Sequence, residues 1–170
     1  GGEIANSILH SYSNKQHDGF LGDSYIGSWV NMGADTVNSN LLNTYGSINV
    51  EIGGNIINTE QMFLGMAMGD HTKTAINTTI MTGSIVGFAC NIVSASYPPK
   101  YLPSFTWCSH HGIQIYTLEK ALIVAKIAMV MRTPTSPAIA PAARFDTVMI
   151  NVTMPKSPAR MRPRIPSGAR

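Results

Sequence analysis

Arginine is absent from the first 131 residues, and the whole chain has only two cysteines. Two cysteines cannot build the disulfide scaffold of a small secreted domain, and Cys90 and Cys108 are not spaced as C-x-x-C. Both are expected to be buried small residues of a reduced, cytoplasmic protein. Charge is scarce too, at 12% of residues. It is also unevenly divided. Residues 1–131 carry five Lys against eight Asp and Glu, a net −3, while residues 132–170 carry six Arg and one Lys against Asp146, a net +6. The basic balance therefore belongs to the C-terminal segment alone, and no nucleic-acid partner is expected of the rest. A long hydrophobic run is missing as well. The best, Ala121–Met131, is broken by Lys126 and falls well short of the roughly 20 residues that cross a bilayer, so no membrane role is expected. The chain opens on Gly1-Gly2, in mid-repeat, without an initiator Met or apolar leader, and a further region is expected upstream.

What is present is a period of six. Counting from Phe20 gives Ile26, Met32, Asn38, Thr44, Val50, Ile56, Met62, Met68, Thr74, Ile80, Val86 and Ile92, mostly aliphatic or Met. Four residues after these stand small ones: Ser24, Val30, Thr36, Thr72, Thr78, Ser84 and Cys90. Glycine follows the apolar residue at Gly27, Gly33, Gly69 and Gly87, where a positive φ is expected at a corner. Neither a helix nor an alternating strand has this period. A parallel β-helix of hexapeptide repeats does, each hexad giving a short strand and a corner.

Three segments follow. Residues 1–97 are expected to be the coils, with a polar excursion around Asn43-Thr44-Tyr45-Gly46. Tyr97-Pro98-Pro99-Lys100 is expected to end the stack, since proline supplies no ladder N–H. Residues 98–132 then read as an irregular connection and a C-terminal helix, with Thr117 at its N-cap, Glu119 in its first turn, and Leu118, Ala121, Leu122, Ala125 and Met129 as its apolar stripe. Residues 133–170 hold seven of the ten prolines and the arginines after Arg132, the composition of a disordered tail.

His17 is the outstanding chemical residue. A histidine accepts a proton near neutral pH, so it reads either as a general base or as a surface histidine. Asp18, Asp23 and Asn31 are polar groups in a stretch otherwise given to packing, and Asp70-His71-Thr72-Lys73 forms a second polar cluster.

The stretch Lys15–Asn40 resembles the acetyltransferase half of the bacterial bifunctional enzyme N-acetylglucosamine-1-phosphate uridyltransferase/glucosamine-1-phosphate acetyltransferase. The matching residues are His17, Phe20-Leu21-Gly22-Asp23, Ile26-Gly27, Val30-Asn31, Gly33-Ala34-Asp35-Thr36 and Asn40. The segments FLGMAMGDHTKTAINT and YPPKYLPSFTW are similar to related sugar nucleotidyltransferase-like proteins. The resemblance implies a left-handed β-helix, a homotrimer with its site between neighbouring prisms, and acetyl-CoA as co-substrate. It implies that His17 takes the proton from a sugar amine, that Asn31 and Asn40 position acceptor or acetyl group, and that backbone near Ala34 approaches the thioester. Three residues depart from the family pattern. Ala5 stands where a Lys holds the sugar phosphate, Phe20 replaces a Tyr, and Asp35 replaces a Gly. Lys15 and Lys73 are the candidates for the missing phosphate contact.

The expectation is an acyl-CoA-dependent acyltransferase acting on an amino sugar phosphate or nucleotide sugar in cell-envelope precursor synthesis. The alternative is the oligomerising, non-catalytic C-terminal domain of a sugar-1-phosphate nucleotidyltransferase, since these residues hold no glycine-rich nucleotide loop. No metal is expected, although γ-class carbonic anhydrases share the prism. Zinc needs about three N or S ligands in tetrahedral array, and no histidine pair stands at such spacing on the coils.

Overall fold

The computed structural model describes residues 2–94 and 96–132. The segment 133–170, expected to be a tail, lies outside the described residues. Short strands follow one another in chain order: β1 (Glu3–Ala5) and β2 (Ile8–Leu9), then β3 (Phe20–Gly22), β4 (Tyr25–Ile26) and β5 (Val37–Asn38). An excursion carries β6 (Asn49–Ile52) and β7 (Asn55–Asn58). The coils resume with β8 (Met66–Met68), β9 (Lys73–Thr74), β10 (Thr79–Ile80), β11 (Ser84–Val86) and β12 (Asn91–Val93). They finish with β13 (Tyr101–Leu102), β14 (Thr106–Ser109) and β15 (Gly112–Ile115), followed by helix α1 (Leu118–Arg132).

A strand of two or three residues is stable only with neighbours above and below, and the parallel pairing supplies them. Face A carries β1, β3, β5 and β10. Face B runs β2, β4, β8, β11, β13. Face C stacks Asn14, Asn31, β9, β12 and β14. The fold is the expected hexapeptide-repeat parallel β-helix, the left-handed class, closed by a C-terminal helix. Its interior is filled by Leu21, Ile26, Met32, Met68, Ile80, Val86, Ile92 and Leu102, with Val30, Thr36, Thr72, Thr78, Ser84 and Cys90 buried beside the corners.

Three details differ from the sequence reading. The inward residue of the first full coil is Leu21, not Phe20, because the step from Leu21 to the next inward residue, Ile26, is five residues, one short of a hexad. The excursion 41–63 does not follow the hexads. Thr44, Ile56 and Met62 are exposed, and β6 pairs antiparallel with β7. The prolines at 98 and 99 fall between coils instead of ending the stack, since Val86 pairs with Leu102 and Ile92 with Cys108.

The corners also use glycine differently. Positive φ falls on the residue before each small buried one: Asp23, Trp29, Asp35, His71, Asn77, Ala89 and Phe105, and Gly83 before Ser84. The glycines after the apolar residues serve close approach between coils. A Cβ on Gly69 would lie 2.7 Å from the carbonyl carbon of Gly87, and one on Gly87 would lie 2.4 Å from the amide nitrogen of Ser104.

Helix α1 begins where expected, with the Thr117 carbonyl accepting the Ala121 N–H at 3.0 Å. Its covered stripe is Ala121, Val124, Ala125, Ala128 and Met129, while Leu118 and Leu122 are more than half exposed. Ala121 joins Tyr116, Ala89, Phe88, Phe105 and Trp107 in a small apolar cluster.

Candidate active site

The bend that carries His17 is built by Lys15. Lys15 is buried, and its ammonium donates to the carbonyl of His17 at 2.6 Å and to the carbonyl of Asp18. Burial pushes its pKa below the ordinary lysine value, while Asp18 and Asp35 pull it back up. The bend then rests on the next coil. The Asp18 carbonyl accepts the Asp35 N–H at 3.1 Å, and a Cβ on Gly19 would lie 2.4 Å from the carbonyl oxygen of Thr36. A buried ammonium, a backbone hydrogen bond and a close-packed glycine thus fix a loop whose own side chain, His17, is exposed.

The turn beneath it is 33–36. Asp35 takes φ 57°, a conformation that Asp tolerates better than most L-residues and that glycine takes freely. Thr36 shares a hydrogen bond with Thr74 at 2.7 Å, and the Gly33 N–H donates to Thr74 Oγ1 at 3.0 Å. The Ala34 carbonyl accepts the Asn77 N–H at 2.8 Å. His17, Lys15 and Ala34 therefore meet at one corner, between faces C and A.

Asn31 and Lys73 sit on face C as register partners. The Asn31 Oδ1 accepts from Asn14 Nδ2 at 3.0 Å, and Lys73 donates to the His71 carbonyl at 2.8 Å. Asn40 lies elsewhere, past the far end of β5, where its Nδ2 donates to Asp23 Oδ2 at 2.6 Å. Within one protomer the six candidates occupy the C/A corner, the adjoining face and the opposite corner of face A.

The 70–73 cluster holds a corner together. Asp70 Oδ1 accepts the Ser28 N–H at 2.7 Å, and Thr72 is buried with its hydroxyl donating to the Gly87 carbonyl. His71 stands in an aromatic column, 5.8 Å and parallel from Trp29, 5.9 Å and edge-on from Phe88. Tyr12 stacks on Trp29 at 4.1 Å, and Phe105 follows Phe88 at 5.6 Å. The His71 Nδ1 is buried without a hydrogen-bond partner. Burial and then Lys73 hold its pKa below 6.5, and Asp70 opposes them. Among the described residues, no three His, Cys, Asp or Glu side chains come together to hold a metal.

Sequence reasoning missed two features. One is the anchoring role of Lys15, for which its spacing to His17 gave no signal. The other is a depression of about 310 Å³ on face B, lined among others by Asn6, Ile8, Asp23, Tyr25, Gly65 and Gly83. Its one legible residue was Asp23 of the Phe20–Asp23 motif.

The fold defines the class, a parallel β-solenoid of hexapeptide repeats, and known proteins narrow this. Over about half its length the chain is a homologue of GlmU-type nucleotidylyltransferase/acetyltransferases. It is 34% identical over 85 residues to the bifunctional sugar-1-phosphate nucleotidylyltransferase/acetyltransferase of Sulfurisphaera tokodaii, covering 50% of this chain and 21% of that protein. It is 33% identical over 105 residues to the bifunctional protein GlmU of Methanocaldococcus jannaschii, covering 62% and 26%. The same protein of Methanococcus vannielii is 34% identical over 85 residues, covering 50% and 20%. The chain spans about a fifth to a quarter of the length of these curated relatives. No protein-family profile matches it. No helix among the described residues is long and apolar enough to cross a membrane.

Proposed function

We propose that this chain is an acetyl-CoA-dependent acyltransferase domain acting on an amino sugar phosphate of the glucosamine 1-phosphate kind, in a cytoplasmic pathway to nucleotide sugars. The observation that carries the reading is the His17 bend, clamped by a buried lysine onto the turn that holds Ala34. His17 accepts the proton of the neutral amine as its nitrogen attacks the thioester carbonyl. A C–N bond forms, the C–S bond breaks, and the coenzyme thiol leaves with a proton. Backbone at Ala34 lies beside the thioester, and Asn31 with Asn40 orients acceptor and acetyl group. Lys73, the register partner of Asn31, serves the phosphate, while Lys15 positions the base. Asn40 belongs to the opposite corner of face A, so a site using it and His17 draws on two copies, as in a homotrimer.

A second reading is favoured by one residue. Ala5 stands where a phosphate-binding lysine is expected, and the domain then only oligomerises a nucleotidyltransferase. Thiol release from acetyl-CoA with glucosamine 1-phosphate tests both. Turnover that collapses in His17→Ala supports the enzyme and its base. An assembled protein that neither turns over nor binds acetyl-CoA supports the oligomerising domain.

A further inference from the structure

The depression of about 310 Å³ on face B has an apolar wall and one charged edge. The wall is the outward row of that face, in which Ile8, Tyr25, Ala67 and Ile85 are successive register partners. Neighbouring strands lie about 4.8 Å apart, so the row is a continuous apolar strip, and Tyr25 is 49% exposed on it. The volume suits one ring-sized molecule.

Asp23 makes the edge. It stands at the corner two residues before Tyr25, and among the described residues no Lys, Arg or His lines the depression with it. Its carboxylate is held by carboxamides. Oδ2 accepts from Asn40 Nδ2 at 2.6 Å, while Oδ1 faces Asn6 Nδ2 at 3.5 Å, longer than an ordinary hydrogen bond. Oδ1 therefore keeps its capacity for a stronger donor. A fixed negative charge near an exposed aromatic ring suits an organic cation. The carboxylate accepts a charge-assisted hydrogen bond, and the ring quadrupole attracts the same charge. A metal ion suits the edge less, since calcium takes about six to eight oxygen ligands and gains nothing from an apolar strip. The body that carries the cation needs an apolar face for Ile8 and Tyr25 and hydroxyls for the amide of Asn6. A pyranose ring has both.

We propose that the face B depression binds an amino sugar in its ammonium form, with the charge on Asp23 and the ring against Tyr25. The acyltransferase reading places no ligand in this depression, so the site goes beyond it and does not depend on turnover at the His17 corner.

Amide shifts of the nitrogen-15-labelled full chain test it, because they report the two places separately. D-glucosamine is titrated at mildly acidic pH, where its amine is charged. Tyr25, Gly65 and Ala67 shift to saturation. D-glucose, which lacks the charge, binds there about tenfold more weakly, the scale of one hydrogen bond to a charged group. Asp23→Asn weakens glucosamine by the same factor, and asparagine tolerates the φ of 49° at this corner, so the fold is kept. Tyr25→Ala, at an exposed position, weakens it as well, and His17→Ala leaves the shifts at Tyr25 and Gly65 unchanged. The proposal is overturned if none of these amides shifts, if glucose binds as tightly as glucosamine, or if Asp23→Asn binds as tightly as the parent. Shifts confined to Gly33 and Asp35, and abolished by His17→Ala, overturn it too, while supporting an amino-sugar acceptor at the His17 corner.

Discussion

The carboxamide of Asn38 occupies an inward position of the prism and hydrogen-bonds both backbone groups of Gly22: its Oδ1 accepts the Gly22 N–H at 2.8 Å, and its Nδ2 donates to the Gly22 carbonyl at 2.9 Å. The side chain thus replaces a stretch of backbone ladder between β3 and β5. Further bonds to Ser24 Oγ and the Ser39 carbonyl use what remains of its amide. Asn38→Leu keeps the branched shape and strands these buried partners. Leaving a buried group unpaired costs about 1–3 kcal/mol. Urea unfolding is expected to show a loss toward the upper end of that range, with an unchanged slope. A variant as stable as the parent would mean the ladder re-forms without the side chain.

Lys15 offers a second test. Lys15→Met keeps the buried stem but removes the donor that the His17 and Asp18 carbonyls share. A stability loss of about 1–3 kcal/mol is expected. Amide exchange at Asp35, whose N–H bonds the Asp18 carbonyl, should accelerate together with it. Exchange at Asp35 that stays slow would show that the bend is held by Gly19 and its contacts instead.

His71 sets a pH dependence. Its folded pKa lies below the ordinary 6.5, chiefly because burial penalises the cation. As pH falls, the unfolded chain takes up this proton first. The stability His71 contributes is therefore complete above about pH 6.5 and is lost as pH falls through the folded value. Chemical denaturation at pH 7.5 and pH 5 should show less stability at the lower pH. His71→Gln should flatten that difference. An equal difference in the variant would assign the slope to other groups.

Gly87→Ala probes the close approach of coils. The added methyl meets backbone at Ser104, which cannot rotate away, so the cost is expected at about 1–3 kcal/mol or more, as for overpacked cores. Thermal unfolding measures it. The same change at Gly53, where a Cβ would meet nothing within 4 Å, controls for added bulk, although its positive φ of 59° makes that variant mildly strained as well.

How far the sequence carried can be seen at particular positions. Ile26, Met32, Met68, Ile80, Val86 and Ile92 were legible because a prism interior selects one apolar residue every six. Asn38 counted against the pattern, yet it is buried, because a carboxamide that pairs with a neighbouring backbone is as good a filler as a methyl group. The excursion was legible at residues 43–46, but its full extent hid for an arithmetical reason. Ile26 pairs with Met68 across 42 residues and Met68 with Val86 across 18, a surplus of 24, which is four whole hexads, so the count returned in phase. Pro98 and Pro99 misled because a solenoid can place prolines in its connections. At the site, the resemblance singled out His17 and Ala34, which the fold brings to one corner. It could not show that Lys15 is buried under them, since burial of an ammonium depends on carbonyls that only folding brings together.

The excursion between Leu41 and Phe63 has a practical corollary. Its neck is closed by an antiparallel bridge between those two residues, and Ile48 and Val50 are buried at its base. Beyond that base, no coil depends on how many residues the hairpin holds, and closing a longer loop costs only about 0.6 kcal/mol per doubling. The tip at Gly53-Gly54 is thus a port. A peptide epitope, a dye site or a whole small domain inserted there leaves the coil register intact and the His17 corner untouched.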